Sequence, residues 1–221
     1  MFKKLSYLMI AAIMAFILVP VMPPAHAAGG GGDEEKKKDI VAEVGELAPE
    51  FHATDIKGKE FDLHHYLGKT VVLEWTNHQC PFVMKHYDSG NMQAIQKKAT
   101  DDGVIWVSIV SSAEGRQGHT SDEEAAAIIK EQGAYPTYKI MDPSGEIGKL
   151  YQAKTTPHMY IIDKKGILAY AGAIDENPSP RASAIEGAKN YVTSALSDMA
   201  AGGAVKMPYT PSYGCPIKYA H

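Results

Sequence analysis

Residues 75–83 read Trp75-Thr-Asn-His-Gln-Cys-Pro-Phe-Val83, and this stretch decides the fold because a buried strand ends in it and a helix begins. The strand is Thr70-Val-Val-Leu-Glu-Trp75, a run rich in β-branched residues. Pro81 suits the first position of a helical turn, where its missing N–H costs nothing. Cys80 thus lies at a helix start, where free amides and the helix dipole favour the thiolate. The thiolate is the form that attacks disulfides and peroxides.

Further strands and helices are predicted on the carboxyl side of this stretch. A second nearly continuous apolar run, Val104-Ile-Trp-Val-Ser-Ile-Val110, is typical of a strand covered on both faces of a parallel sheet. Residues 90–100 have room for a crossover helix between the two strands. The capping box Ser121-Asp-Glu-Glu124 begins another helix, which ends at Gly133.

A hairpin and a closing helix follow. The segments Met159-Tyr-Ile-Ile162 and Ile167-Leu-Ala-Tyr170 flank a turn ending in Gly166, which is a hairpin signature. Residues 138–141 form another candidate strand. Apolar residues spaced by three and four predict the closing helix, namely Ile185, Ala188, Val192, Leu196 and Met199. Together these elements predict an α/β fold with a mixed β-sheet flanked by helices.

The amino terminus has the order of a secretory signal. Lys3 and Lys4 precede an uncharged apolar run, and Ala25-His26-Ala27 follows a group of prolines. This pattern predicts a signal peptide over residues 1–27 and export to the periplasm or the extracellular space, where disulfides persist. If the segment were not cleaved, it would be a membrane anchor instead.

The remaining organisation is predicted from composition. Residues 28–39 hold four consecutive glycines and a mixed charge run, which indicates a flexible linker. The folded domain is expected over 40–200, with a carboxyl-terminal tail over 201–221 that carries Cys215. The 221-residue chain has a formal net charge of −4, which argues against a nucleic-acid-binding protein. Its two cysteines show no zinc-ligand spacing.

The order strand, Cys-Pro, helix, strand, helix, Thr-Pro, hairpin, helix resembles the thioredoxin-like redoxins, the broad group that includes the alkyl hydroperoxide reductase/thiol-specific antioxidant proteins. Its landmarks are Val44-Gly-Glu-Leu-Ala-Pro-Glu-Phe51, the stretch around Cys80, and Thr155-Thr-Pro-His158. The resemblance implies a thioredoxin-like fold with a cis peptide bond at Thr156–Pro157. It also implies an oxidoreductase that uses Cys80 on a peroxide or a disulfide, is reset by a thiol electron donor, and needs no cofactor.

The resemblance also implies roles for residues near Cys80. Glu74 sits six positions before it, where thioredoxins keep a buried acidic residue. We expect it to relay protons for Cys80, the alternative being an edge-facing carboxylate in a salt bridge. Independently of the resemblance, Lys85 and His86 are expected to add positive charge near Cys80. Substrate binding is expected at Thr76, Pro81, Thr156 and Pro157, because a Thr-Pro loop offers backbone groups to an extended substrate.

Two positions depart from the family pattern. Val83 stands where a thioredoxin has its second cysteine. Peroxiredoxins keep a threonine three positions before the cysteine, but that position is Asn77 here, and Thr76 lies one position earlier. Cys215 can supply the missing thiol, either by resolving an intermediate on Cys80 or by forming a permanent structural disulfide with it.

Two other functions are compatible with the same residues. His78, Cys80 and His158, with Met84, could form a soft site for Cu(I), which would make the protein a thioredoxin-fold copper-binding protein or chaperone. The second alternative is a protein-binding domain that keeps the fold but in which Cys80 is buried and does not react. A lowered pKa of the Cys80 thiol distinguishes the enzyme from an idle thiol.

Overall fold

The computed structural model describes residues 41–220. The predicted signal peptide over 1–27 and linker over 28–39 lie outside the described residues. Within the described part, no helix is both long enough and apolar enough to cross a membrane.

In chain order the elements are β1 (His52–Thr54), β2 (Glu60–Asp62), a 3-10 helix (Leu63–Tyr66), β3 (Val71–Trp75), α1 (Pro81–Asp88), α2 (Asn91–Asp101), β4 (Ile105–Val110), α3 (Asp122–Gln132), β5 (Tyr138–Met141), α4 (Glu146–Leu150), β6 (Thr155–Thr156), β7 (His158–Ile162), β8 (Leu168–Gly172), a second 3-10 helix (Ala182–Ala184), α5 (Tyr191–Ala200) and β9 (Cys215–Pro216).

The central sheet is mixed, as the sequence predicts. Its five strands have the order β5-β4-β3-β7-β8. The strands β3, β4 and β5 are parallel, whereas β7 is antiparallel to both β3 and β8. The predicted hairpin at residues 163–166 is confirmed, because β7 and β8 pair across it and Gly166 has a φ of 83°.

Both faces of the sheet are covered. Alternate residues of β3 enter two separate clusters, with Leu73 and Trp75 on one face and Val72 on the other. The first face packs against the β1–β2 hairpin and the segment after α4. The second face packs against α1, α2 and α5, and its cluster contains Cys80. The near-continuous apolar character of β3 follows from this double coverage.

The helix predicted to begin at Pro81 is α1, the helix predicted over 90–100 is α2, and Gly90 with a φ of 76° separates the two. One helix boundary differs from the prediction. The closing helix was predicted to start at Ile185, but α5 starts at Tyr191. Asn190 caps α5 by accepting a hydrogen bond from the amide of Thr193, so Ile185 and Ala188 lie before the helix. The capping box at Ser121 and the end at Gly133 are confirmed.

The tail folds back onto the domain. Its strand β9 pairs antiparallel with β6, and the amide of Ala113 donates to the carbonyl of Lys218. The buried hydroxyl of Thr210 accepts from the amide of Ala173 at 3.0 Å. Further along, the Tyr219 hydroxyl donates to the carbonyl of Ala153 at 2.8 Å. These bonds are spread along the tail, and the pairing of β9 places Cys215 against β6.

Candidate redox site

Cys80 is the residue that begins α1. Its backbone is extended, with a φ of −86° and a ψ of 122°, and Pro81 occupies the first helical position. The Cys80 carbonyl accepts the first helical hydrogen bonds, from the amides of Val83 and Met84. The sulfur is fully buried, with an exposure of 0%. Because Cys80 begins a helix, we expected a thiolate that a substrate can reach, but in this structure the side chain is covered.

The Thr156–Pro157 peptide bond is cis, as predicted, and it lies against Cys80. The Cys80 thiol donates a hydrogen bond to the carbonyl of Thr156 at 3.1 Å. The Thr156 hydroxyl is buried and has no hydrogen-bond partner among residues 41–220. It is a donor that stays available if the thiol ionises.

Cys215 meets the same sulfur from the tail. In the antiparallel pair of β6 and β9, Thr156 is its register partner. Because Thr156 also accepts the hydrogen bond of the Cys80 thiol, the two free thiols lie at the same residue of the cis-proline loop. Gly214, with a φ of 134°, allows this approach, because a Cβ there would overlap the carbonyl oxygen of Thr156.

The two thiols have pKa values displaced in opposite directions. Burial alone would raise the pKa of Cys80, but hydrogen bonding by the side chain and the amide of Cys215 and by the amide of Val83 holds it below its ordinary value. The pKa of Cys215 is raised to about 11 by burial and by the neighbouring Cys80. Cys80 is therefore the thiol that ionises first.

Glu74 lies on β3, the central strand, with an exposure of 0%. Its carboxylate accepts four hydrogen bonds, from the Tyr87 hydroxyl at 2.8 Å, Gln96 Nε2 at 3.0 Å, Trp106 Nε1 at 2.8 Å and Ser108 Oγ at 2.8 Å. The alternative of an edge-facing carboxylate in a salt bridge is therefore wrong. The sequence predicted the burial of Glu74 but not its four donors, because these come from three separate elements, α1, α2 and β4.

A small cavity adjoins the Glu74 network. It has a volume of about 20 Å³, and its lining includes Thr76, His78, Tyr87, Ser108 and Lys139. That volume suffices for about one water molecule. Lys139 is the register neighbour of Ser108, and burial lowers its pKa to about 8, partly offset by Glu74. Lys139 was not among the predicted site residues, because its signal in the sequence is a single charge within the strand at 138–141.

The residues of the predicted copper site do not come together. His158 is the register partner of Trp75. Its ring contacts that of Tyr160 at a tilt of 45°, with centroids 4.5 Å apart, and Tyr160 lies on the face opposite to Cys80. Burial lowers the pKa of His158 to about 3. Within the described residues, no group of three His, Cys, Asp or Glu side chains is arranged to hold a metal ion.

Lys85 and His86 do not act as the free positive charges that were expected near Cys80. The Lys85 ammonium forms an ion pair with Asp175 at 3.3 Å. Burial lowers the pKa of His86 to about 4, so this imidazole is neutral at neutral pH.

Comparison with known proteins now assigns the family. The sequence profile described as AhpC/TSA family matches residues 44–171, which is more than half of the chain. The chain belongs to the AhpC/TSA family. The match contains Cys80, Glu74 and the cis-proline loop, but it ends well before Cys215.

Relatives of this AhpC/TSA chain include two curated proteins named thiol-disulfide oxidoreductase ResA, from Bacillus thuringiensis subsp. konkukian and Bacillus cereus. Each is 27% identical over 125 residues, which cover 56% of this chain and 66% of the relative. The match thus spans just under two thirds of the length of these relatives.

Two solved structures resemble the AhpC/TSA chain over most of its length. One is an uncharacterized conserved protein from Geobacillus kaustophilus, with a TM-score of 0.70, 26% identity, and coverage of 80% of this chain and 93% of that chain. The other is a hypothetical protein from Sinorhizobium meliloti 1021, with a TM-score of 0.69, 24% identity, and coverage of 80% and 95%. The second likeness concerns the fold alone.

Proposed function

We propose that this protein is a thiol–disulfide oxidoreductase in which Cys80 is the nucleophile and Cys215 is the resolving thiol. The observation that carries the proposal is that two free thiols meet at Thr156, whose carbonyl accepts the hydrogen bond of the Cys80 thiol and whose register partner in β9 is Cys215. The name of the curated relatives, thiol-disulfide oxidoreductase, supports the same reaction class.

The reaction takes two exchange steps. The Cys80 thiolate attacks one sulfur of a substrate disulfide, whose S–S bond breaks, and the departing substrate thiolate takes up a proton. The deprotonated Cys215 then attacks the Cys80 sulfur and releases the second substrate thiol. The substrate has gained two electrons and two protons, and the Cys80–Cys215 disulfide has formed. An external dithiol donor reverses the oxidation of the pair.

The division of roles follows from the two pKa values. A thiolate is the attacking form, and hydrogen bonds lower the pKa of Cys80 whereas that of Cys215 is about 11. Because Cys80 is fully buried and Cys215 packs against the cluster that contains it, an incoming disulfide reaches Cys80 when the tail moves away from Thr156. The edge of Thr156 then becomes free to pair with an extended substrate.

Glu74 is proposed to relay the proton that Cys215 must lose. Its carboxylate is bonded to Tyr87 and Ser108, and both of these line the small cavity that extends to Thr76 and His78. One water in that cavity would connect the carboxylate to the loop before Cys80.

A disulfide is a better substrate than a peroxide for this site. Asn77 occupies the position of the peroxiredoxin threonine, and its side chain is engaged within the loop. Its Nδ2 donates to the carbonyl of Gln117 at 3.2 Å, and its Oδ1 accepts from the amide of Gln79 at 2.9 Å. No hydroxyl therefore occupies this position.

We also propose that the protein works outside the cytoplasm, after removal of residues 1–27. The support is the sequence of the segment, with Lys3 and Lys4 before the apolar run and Ala25-His26-Ala27 at its end. Fractionation of cells that express the full chain should find a shortened protein in the exported fraction. A full-length protein in the membrane fraction would support the anchor instead.

The function is tested by exposing the reduced protein to glutathione disulfide and, in parallel, to hydrogen peroxide, with disulfides mapped by mass spectrometry. We expect glutathione disulfide to produce a Cys80–Cys215 bond that dithiothreitol reopens. Cys215→Ser should stop at a glutathione adduct on Cys80, and Cys80→Ser should remain unmodified at Cys215. A bond that thiols cannot reopen would indicate a structural disulfide, and a response to peroxide alone would indicate a peroxidase.

A further inference from the structure

A buried ion pair lies beside the redox site and takes no part in the exchange steps. Lys85 is on α1, the helix that Cys80 begins, and its side chain has an exposure of 0%, against 3% for its partner Asp175. A buried pair of charges is weak evidence for stability, because desolvation of both groups can exceed their attraction. The position of this pair therefore requires another explanation.

The tail completes this ion pair through Tyr213. The Tyr213 hydroxyl donates to Asp175 Oδ1 and accepts from Lys85 Nζ at 3.2 Å. Lys85 Nζ also donates to the carbonyl of Asn177 at 2.7 Å. Lys85 thus directs its three N–H donors to Asp175, Asn177 and Tyr213, and one of these partners belongs to the tail.

Tyr213 is close to Cys215 in both sequence and space. Only Gly214 separates them, and it is the residue whose missing Cβ lets the tail approach Thr156. The Tyr213 ring also packs edge-on against Phe82 of α1, with centroids 6.0 Å apart. The helix that carries Cys80 therefore holds the tail immediately before Cys215.

We propose that Tyr213, through Lys85 and Asp175, is a positioning residue that holds Cys215 against Cys80. This inference rests on the proposed function, since it assigns a purpose to the approach of the two thiols. A held thiol has a higher effective concentration than one on a loose tail. Tyr213 therefore speeds the second exchange step and stabilises the Cys80–Cys215 disulfide relative to the dithiol.

The test uses Tyr213→Phe, which keeps the ring against Phe82 and removes the hydroxyl. The reduced protein is mixed with 5,5′-dithiobis(2-nitrobenzoic acid), and the release of thionitrobenzoate is followed by stopped flow. Attack by Cys80 breaks the reagent's S–S bond and releases the first equivalent, and attack by Cys215 on the mixed disulfide releases the second. We expect the second phase to slow about tenfold in the variant. In a glutathione redox buffer, a tenfold weaker disulfide corresponds to a reduction potential about 30 mV less negative.

Tyr209→Phe is the matched control, because Tyr209 is in the same tail and is 62% exposed; it should match the wild type in both measurements. A second variant, Lys85→Met with Asp175→Asn, removes both charges of the pair and should also slow the second phase. Far-ultraviolet circular dichroism checks that each variant is folded. An unchanged second phase and potential in folded Tyr213→Phe would overturn the inference. A wild type that releases only one equivalent would instead refute the proposed function.

Discussion

Thr156 and Cys215 are register partners in the antiparallel pair formed by β6 and β9. The carbonyl of Thr156, which precedes the cis bond to Pro157, also accepts the hydrogen bond from the Cys80 thiol. One residue of the cis-proline loop therefore contacts both cysteines. The ionisation of Cys80 consequently depends on how the tail is held.

The Cys215 side chain is expected to promote the ionisation of Cys80. In Cys215→Ala the thiol that donates to the Cys80 sulfur is lost, so the pKa of Cys80 should rise. In Cys215→Ser a hydroxyl donor remains, and the pKa should stay lower. Alkylation by iodoacetamide at pH 7 should be roughly fivefold slower in the alanine variant than in the serine variant, as loss of one hydrogen bond of about 1 kcal/mol implies. Equal rates across pH would show that the Cys215 side chain has no influence.

Gly214 is expected to be required for the approach of the tail. Gly214→Ala places a methyl group against the carbonyl of Thr156 at a φ of 134°, which should cost more than 2 kcal/mol in the free energy of unfolding. Gly187→Ala is the control, because Gly187 has a φ of 74° but nothing within 4 Å of its Cβ position, and it should cost about 1 kcal/mol. Urea unfolding measures both costs. Equal costs would mean that the close contact with Thr156 is relieved by a small movement of the tail.

The sequence predicts those parts of the site that depend on residues adjacent in the chain. A strand followed by Cys80 and Pro81, and a Thr156–Pro157 pair before a hairpin, carry their signals within a few neighbouring residues. The pairing of Thr156 with Cys215 has no such signal, because β9 is two residues long and its partner strand is remote in sequence. The Tyr213–Asp175 bond is equally remote, so neither contact follows from periodicity or capping.

The buried histidine His158 is expected to make the fold sensitive to acid. Its pKa is lowered from 6.5 to about 3 in the folded protein, so the unfolded chain binds the extra proton and stability falls as pH decreases from 6.5 towards 3. Between pH 7 and pH 4 this costs about 3 kcal/mol. His158→Asn should therefore lose about 3 kcal/mol less than the wild type over that interval in urea unfolding. His65→Asn, at a side chain 77% exposed, should behave as the wild type does, and equal acid losses in all three proteins would contradict the prediction.

Glu74 provides the sharpest distinction between a structural and a chemical role. All of its partners donate hydrogen bonds to it, so in Glu74→Gln an amide N–H would face other donors. This should lower the free energy of unfolding by about 1–3 kcal/mol. Ser108→Ala removes a single donor and keeps the carboxylate, so its loss should be at the lower end of that range.

The two variants should differ in kinetics even where their stabilities are similar. If Glu74 relays the proton of Cys215, Glu74→Gln should slow the second exchange step and change its dependence on pH, because an amide cannot accept that proton. Ser108→Ala retains the carboxylate and should keep the wild-type profile. Thionitrobenzoate release across pH measures this step directly. A Glu74→Gln profile that superimposes on the wild type, in a protein that is merely less stable, would leave Glu74 as a buried acceptor that orders four donors and would remove it from the reaction.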